Sequence, residues 1–107
     1  ALEIAGEIGD RRTEGSVLGN LGSAYYRLGQ VGKAIGYHQQ ALEIKKAIGD
    51  RWGEGSVLGN LSSAYATLGQ VEKAREYLEA TLAIAREIKD QKMEAITLEN
   101  LEKLKGQ

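Results

Sequence analysis

The sequence contains no cysteine, no proline and no phenylalanine, and it has a single histidine, methionine and tryptophan. Without cysteine, disulfide bonds and thiolate metal sites are excluded. Net charge is also nearly absent, because 14 Lys and Arg residues stand against 15 Asp and Glu residues, with no long run of either sign. A chain without a basic stripe is a poor partner for nucleic acid, and binding to anionic membranes is equally disfavoured.

Long apolar runs are missing as well. No stretch approaches the roughly 18 apolar residues that a membrane-spanning helix needs, and the first residues do not resemble a signal peptide. From these absences we expect a cytoplasmic protein. Because the chain begins with Ala1 inside a helical pattern and not with Met, we also expect it to be a piece of a longer array.

What the sequence does contain is a repeat of 40 residues. Residues 41–80 match residues 1–40 at 26 of 40 positions, and a third, partial copy begins at Thr81. Apolar residues recur at spacings of three and four, as in Val17, Leu21 and Leu28, which predicts α-helices. No alternation typical of strands is found. We therefore predict an all-α fold, an α-solenoid of antiparallel helical hairpins with about two and a half repeats.

Glycine and aspartate mark the predicted helix ends. Each Leu-Gly-Gln run (28–30 and 68–70) predicts a hairpin turn, and each Gly-Asp pair (9–10 and 49–50) predicts the end of one helix followed by the N-cap of the next. At Lys89-Asp90 only the cap is kept. The prediction is a single domain, 1–107, with the end of a preceding helix B at 1–8. Repeats follow at 11–48 and 51–88, and a terminal capping helix at 90–105.

Two sets of residues are predicted to serve packing. A small-residue stripe, expected to be the seam between neighbouring hairpins, consists of Gly15, Gly19 and Gly22, repeated as Gly55, Gly59 and Ser62. The other set lies on the apolar faces and consists of Tyr25, Tyr37, His38, Tyr65 and Tyr77. A lone histidine cannot form a metal site, so none is predicted.

The run Asn20-Leu21-Gly22-Ser23-Ala24-Tyr25-Tyr26, followed by Gly29, Ala34, Tyr37, Ala41 and Leu42, resembles the tetratricopeptide repeat consensus. The period of 40 residues, in place of the usual 34, and the missing proline depart from that consensus. This longer variant resembles the repeats of the Partner-of-Inscuteable family of G-protein-signalling modulators and, more loosely, those of kinesin light chains. The resemblance implies a superhelix whose A helices line a concave groove, in which an extended peptide or a partner helix binds.

A helical wheel identifies the residues opposite the apolar arc of each A helix. The predicted peptide-binding groove contains Ser16, Asn20, Ser23, Tyr26, Arg27, Trp52, Ser56, Asn60, Ser63, Thr67, Asn100 and Lys103. Its asparagines recur once per repeat, and each amide offers a donor and an acceptor, as a peptide backbone does. Specificity is expected from the groove edges, at Tyr26, Arg27, Trp52 and Lys103. The asparagines have a second interpretation, as consensus residues that tie helix A to a neighbouring loop.

The leading functional prediction is a protein-interaction scaffold that binds a protein or peptide ligand. The alternative is a self-assembly module that forms homo-oligomers through its uncapped N-terminal edge or by exchange of hairpins. No catalytic or nucleotide-binding motif is present, so neither enzyme activity nor a cofactor is predicted. The carboxylate clamp by which some tetratricopeptide repeats grip chaperone C-termini is disfavoured, because Arg27 is the only cation on the inner face of the two complete copies.

Overall fold

In the computed structural model, which describes the backbone of residues 2–106 and the side chains of residues 10–106, every element is an α-helix. The helices are α1 (Leu2–Arg27), α2 (Val31–Ala47), α3 (Arg51–Thr67), α4 (Val71–Glu87) and α5 (Gln91–Lys105). Helices α1 and α2 pack together as one hairpin and α3 and α4 as the next, while α2 packs on α3 and α4 on α5. The prediction of an all-α helical solenoid is confirmed.

Each turn is closed by the residue that the repeat places there. Gly29, Gly49 and Gly69 have φ of 82°, 74° and 80°, the left-handed region that side chains disfavour. At the first turn the Gln30 amide donates to the Tyr25 carbonyl over 2.9 Å and the Gly29 amide to the Tyr26 carbonyl over 3.0 Å. This pair of hydrogen bonds is the Schellman motif, which satisfies carbonyls left free at a helix end.

Aspartate begins α3 and α5, as predicted. The Gly53 amide donates to Asp50 Oδ1 over 2.8 Å, and the Met93 amide donates to Asp90 Oδ1 over 3.0 Å. Lys45 Nζ lies 3.3 Å from Asp50 Oδ2. The bond from the Gly53 amide, assisted by Lys45, holds the pKa of Asp50 below its ordinary value. The Asp50 cap therefore remains ionised at neutral pH and stabilises the positive end of α3.

Replacing Lys89 with glycine is expected to stabilise the fold. Lys89 has φ of 59° and occupies the turn position that glycine holds in the earlier copies. A side chain in that region costs about 1 kcal/mol, so we expect K89G to raise the free energy of unfolding in urea by about 0.5–1 kcal/mol. Lys92→Gly, inside α5, is the control and should lower it by up to about 1 kcal/mol. Destabilisation by both variants would contradict the prediction.

The predicted break at Gly9-Asp10 is not found, because α1 continues through it from Leu2 to Arg27. The related turn at Gly49-Asp50 is held by packing on both sides, since α2 contacts α1 and α3 together. Within residues 2–106 α1 packs on α2 and, slightly, on α3, and no further helix lies on its other side to support a turn. A continuous helix keeps the backbone hydrogen bonds that a turn would break.

The core lies between the two layers of helices. The molecule measures 52 × 32 × 17 Å, and its smallest dimension matches two packed helices. Among the side chains of residues 10–106, the buried cluster comes from α2, α3, α4 and α5 and consists of Ala41, Leu42, Val57, Leu58, Leu61, Tyr65, Ala74, Leu78, Ile84 and Leu104. The core is therefore centred on α3, the helix that has neighbours on every side but the groove.

The small-residue stripe forms the predicted seam between hairpins only in part. A Cβ atom on Gly55 would lie 3.1 Å from Met93 of α5, but also 3.1 Å from Ile84 of α4 in its own hairpin. A Cβ atom on Gly15 would lie 3.1 Å from Ile44, and one on Gly22 would lie 2.8 Å from the His38 ring. Both partners belong to α2, so these glycines allow close approach within one hairpin. Gly19 and Gly59 face open space, with no atom within 4 Å of such a Cβ. These two glycines, in the middle of the stripe, therefore leave unoccupied space beside their A helices.

Candidate functional site: a groove between the A helices

The largest of three cavities along the groove lies between α3 and α5, with α4 as its floor. Its volume is about 360 Å³. It is lined by Trp52, Gly55, Ser56, Gly59, Asn60, Ser63, Leu78, Thr81, Asp90, Lys92, Met93, Ile96, Thr97 and Asn100. We call it the large cavity. Its floor is apolar at Leu78, while its walls carry the amides of Asn60 and Asn100, so it offers both apolar contact and hydrogen bonds.

Trp52 forms one edge of the large cavity. Its indole Nε1 donates to Asp90 Oδ2 over 3.1 Å, and the residue is 59% exposed. Asp90 thus accepts from Trp52 with one oxygen and caps α5 with the other. This bond connects the start of α3 to the start of α5 and places an aromatic surface beside the opening.

A second cavity lies one repeat earlier, between α1 and α3, with His38 of α2 at its floor. It has a volume of about 310 Å³ and is lined by Ser23, Tyr26, Arg27, His38, Asn60 and Ser63. We call it the histidine cavity. The hydroxyls of Tyr26 and Thr67 lie 2.7 Å apart and form a hydrogen bond between α1 and α3. Because Asn60 and Ser63 border both cavities, the two are adjacent parts of one groove along α3.

His38 is the most polar group at the floor of the groove. Only 2% of the residue is exposed, and its Nδ1 atom is buried without a hydrogen-bond partner. Burial lowers the pKa of His38, because the imidazolium would lose its hydration. The ring is therefore neutral at pH 7, with one nitrogen as a donor and the other as an acceptor.

A third, smaller cavity of about 180 Å³ repeats the histidine cavity 40 residues later. It is lined by Ser62, Ser63, Ala66, Leu78, Asn100, Lys103 and Leu104. Leu78 takes the place of His38, and Asn100 takes the place of Asn60. The groove is thus built from repeated positions whose chemistry changes from one copy to the next.

The predicted packing tyrosines form stacked pairs within each hairpin. The ring centroids of Tyr25 and Tyr37 lie 5.4 Å apart and those of Tyr65 and Tyr77 lie 5.3 Å apart. Lys33 Nζ lies 5.2 Å from the ring centroid of Tyr25, which is close enough for a cation–π contact. The packing role predicted for these residues is confirmed.

Nine of the twelve predicted groove residues border a cavity. Five border the large cavity (Trp52, Ser56, Asn60, Ser63 and Asn100), three more the histidine cavity (Ser23, Tyr26 and Arg27), and Lys103 the smallest one. Ser16, Asn20 and Thr67 border none of the three. The structure therefore brings Asn60 and Asn100 together but leaves Asn20 on the exposed face of α1. That any of these residues contacts a ligand remains a prediction.

Sequence reasoning missed the floor of the groove. His38, Leu78 and Thr81 come from the B helices, whereas only A-helix positions were considered as groove residues. Thr81 Oγ1 donates to the Tyr77 carbonyl over 3.0 Å and also lies 3.4 Å from the Gly55 carbonyl of α3. The sequence did contain a usable signal for this floor. His38 and Leu78 occupy the same position of the repeat, and each lies one helical turn before a small residue, Ala41 or Thr81.

Two family models match the chain, both described as tetratricopeptide repeat, at residues 17–51 and 55–88. Together they cover more than half of its 107 residues. The chain belongs to the tetratricopeptide repeat family. The boundaries of the matches agree with the helical hairpins, because each match begins in an A helix and extends through the following B helix.

Solved structures show the same tetratricopeptide repeat fold. The TPR domain of Arabidopsis FLU has a TM-score of 0.75 at 21% identity, with 90% of this chain and 89% of that domain covered. A STAND (signal transduction ATPase with numerous domains) protein with a tetratricopeptide repeat sensor, from Pyrococcus horikoshii, has a TM-score of 0.76 at 32% identity. That match covers 96% of this chain but only 18% of the Pyrococcus protein. No curated protein matches the chain.

None of the helices described between residues 2 and 106 combines the length and the apolar character needed to cross a bilayer.

Tetratricopeptide repeats generally mediate interactions between proteins.

Proposed function

We propose that the chain is an interaction module whose groove, formed by the large cavity and the histidine cavity, binds an extended segment of a partner protein. The observation that supports this most directly is the position of Asn60 and Asn100 on opposite walls of the large cavity. Two amides facing one cleft can donate to and accept from a peptide backbone that lies between them. The apolar floor at Leu78 and Met93 offers a place for a side chain of that segment.

The described structure gives further support. Asn60 is exposed and Asn100 half-exposed, and neither side chain makes a hydrogen bond with a described residue. The interpretation in which the asparagines tie helix A to a loop therefore has no contact in its favour. In the Pyrococcus STAND protein the tetratricopeptide repeats are described as a sensor, which is a recognition role in that protein.

The test is a binding measurement with paired asparagine variants. Peptides that bind are first selected from a library of random segments displayed between two folded domains. We expect Asn60→Ala combined with Asn100→Ala to weaken a selected peptide about tenfold, since each lost backbone hydrogen bond contributes about 0.5–1.5 kcal/mol. The measurement is the Kd by calorimetry.

Asn20→Ala is the matched control. It removes the same side chain from the same repeat position, but that side chain borders none of the three cavities. Its Kd should stay within a factor of two of the unmodified chain, and thermal unfolding should show that all variants fold. Equal Kd values for the paired variant and the unmodified chain would exclude the groove as the binding site.

Self-association is the second candidate, and one comparison between the repeats favours it. Val17 of α1 is 50% exposed, whereas Val57, its counterpart in α3, is 5% exposed because α2 covers it. Leu21 of α1 is also exposed, so α1 presents an apolar face of the kind that a further helix B would cover. The same face would receive a further repeat in a longer array.

Sedimentation of the isolated chain tests this candidate. If α1 faces pair, the sedimentation coefficient should rise with concentration across the micromolar range, and Val17→Glu should abolish the rise. Leu68→Glu is the control, because Leu68 is an exposed apolar residue outside α1. A monomer at every concentration would exclude self-association.

The narrower resemblance to the Partner-of-Inscuteable family is kept as part of this proposal. The family models and solved structures support the tetratricopeptide repeat as a whole without selecting that subfamily. A cytoplasmic location is proposed from the lack of a signal-peptide or membrane-spanning pattern in the sequence. A preference for protein over nucleic acid or membrane is proposed from the near-zero net charge of -1.

A further inference from the structure

Two groove cavities that correspond under the repeat differ in chemistry. In the histidine cavity the floor is His38 and one wall carries Arg27, whereas 40 residues later these positions hold Leu78 and Thr67. Tyr26 is likewise replaced by Ala66. The first cavity thus has a polar floor with Arg27 on its wall, whereas its counterpart has an apolar floor and carries its positive charge elsewhere, at Lys103 in the place of Ser63.

Two polar groups of the histidine cavity, the His38 ring and the Arg27 guanidinium, keep hydrogen-bonding capacity that the described residues do not satisfy. His38 Nδ1 is buried without a partner, although buried polar atoms are nearly always hydrogen-bonded. Arg27 makes no ion pair with any described residue. None of the six residues that line the cavity is acidic. The cavity therefore offers donors and a positive charge with no anion to match them.

We propose that the histidine cavity binds the carboxylate of an aspartate or glutamate side chain of the partner segment, with the Arg27 guanidinium and the His38 imidazole N–H as donors. This inference rests on the proposed function and names the chemistry of one position in the ligand. Arg27 supplies the opposite charge, and guanidinium geometry matches the two oxygens of a carboxylate. The Asn60 amide, shared with the large cavity, is positioned to hold the adjoining main chain.

The depth of the site favours a side chain over a chain terminus. His38 belongs to α2 and is buried behind α1 and α3, whereas Asn60 is exposed at the surface of the groove. A main chain held by Asn60 lies above the floor, and an extended chain directs alternate side chains toward it. An acidic side chain reaches the floor from there, while a terminal carboxylate, attached directly to the main chain, stays at the level of Asn60.

The first experiment examines the sequences selected from the internally displayed library, in which both ends of every segment are blocked. We expect one position to be enriched in Asp and Glu when the unmodified chain is used. Selection with the variant Arg27→Thr, His38→Leu should lose that enrichment and keep the rest of the motif. Both substitutions introduce the residues that the second copy holds at these positions, so the fold accommodates them.

A thermodynamic cycle then measures the contact. Changing the acidic residue of one selected peptide to its amide should weaken binding to the unmodified chain about tenfold, as expected for a charge-assisted hydrogen bond. The same change should alter binding to the double variant by less than about twofold. An equal loss with both proteins, or selected peptides with no acidic position, would overturn the inference and leave the groove in place.

A separate titration distinguishes failure of this inference from failure of the groove itself. The probes are N-acetyl-glutamate methylamide, its glutamine counterpart, and N-acetyl-alanine, which carries a terminal carboxylate. We expect the NMR signals of the His38 ring to shift saturably with the glutamate probe alone. Equal shifts with N-acetyl-alanine would assign the site to a chain terminus, and equal or absent shifts with the glutamate and glutamine probes would remove the carboxylate site, whether or not the library yields a ligand.

Discussion

Truncating Leu61 to alanine is expected to lower the free energy of unfolding by about 2–5 kcal/mol, the largest loss from any single substitution considered. Leu61 is 0% exposed and lies in the core cluster around α3. Alanine would remove its apolar contacts with the surrounding helices and leave a cavity that close-packed neighbours fill only in part. Urea unfolding, followed by far-ultraviolet circular dichroism, measures the change.

The repeat supplies a matched control for this substitution. Leu21 is the counterpart of Leu61 one copy earlier, on α1, but it is 37% exposed because no helix covers that face. We expect Leu21→Ala to cost less than about 1 kcal/mol, since exposed positions contribute little. Equal losses at the two positions would contradict the described burial. A loss at Leu21 that grows with protein concentration would instead support pairing of α1 faces.

The helix ends were predictable because they depend on local chemistry. A glycine at the left-handed position and an aspartate cap act within a few residues, so Gly29, Gly49 and Asp50 mark their turns in the sequence alone. The same signal at Gly9-Asp10 was misleading, because a turn there also needs a helix on which to fold back. Local signals thus predict a turn correctly only where the packing of neighbouring helices stabilises that turn.

The groove was predictable only on its A-helix side. Amphipathic periodicity identified the wall residues Asn60 and Asn100, because they lie opposite the apolar arc of their own helices. The floor depends on how a B helix fits behind two A helices, which periodicity does not contain. His38 was therefore predicted to be a packing residue, and it is buried, but it also borders the cavity. The stripe of small residues was misassigned in part for the same reason. Small residues indicate that a neighbouring helix approaches closely, but they do not indicate which helix it is.

The second large effect is expected at Gly22. A Cβ atom there would lie 2.8 Å from three atoms of the His38 ring, so any side chain forces the buried ring to move. We expect Gly22→Ser to lower the free energy of unfolding by about 1–3 kcal/mol, despite the better helix propensity of serine. In the second copy the corresponding pair is Ser62 and Leu78, both buried, which shows that the site accepts serine when the histidine is replaced.

Combining Gly22→Ser with His38→Leu should therefore restore most of the loss, with a coupling energy of about 1–3 kcal/mol. His38→Leu alone should be nearly neutral, because it removes the unpaired buried nitrogen while leaving some space beside Gly22. Additive effects of the two substitutions would mean that the ring and the Cβ position do not compete.

The pH dependence of stability provides an independent check on the same histidine, since it is the only one in the chain. Burial places the pKa of His38 below its ordinary value of 6.5. As pH falls below 6.5 the unfolded chain takes up a proton that the folded chain still refuses, so stability falls as pH decreases. Between about pH 7 and 5, where carboxylates remain mostly ionised, the unmodified chain should lose stability and His38→Leu should lose less. An identical pH profile for both proteins would place His38 in contact with solvent, because only a buried neutral imidazole couples its proton to folding.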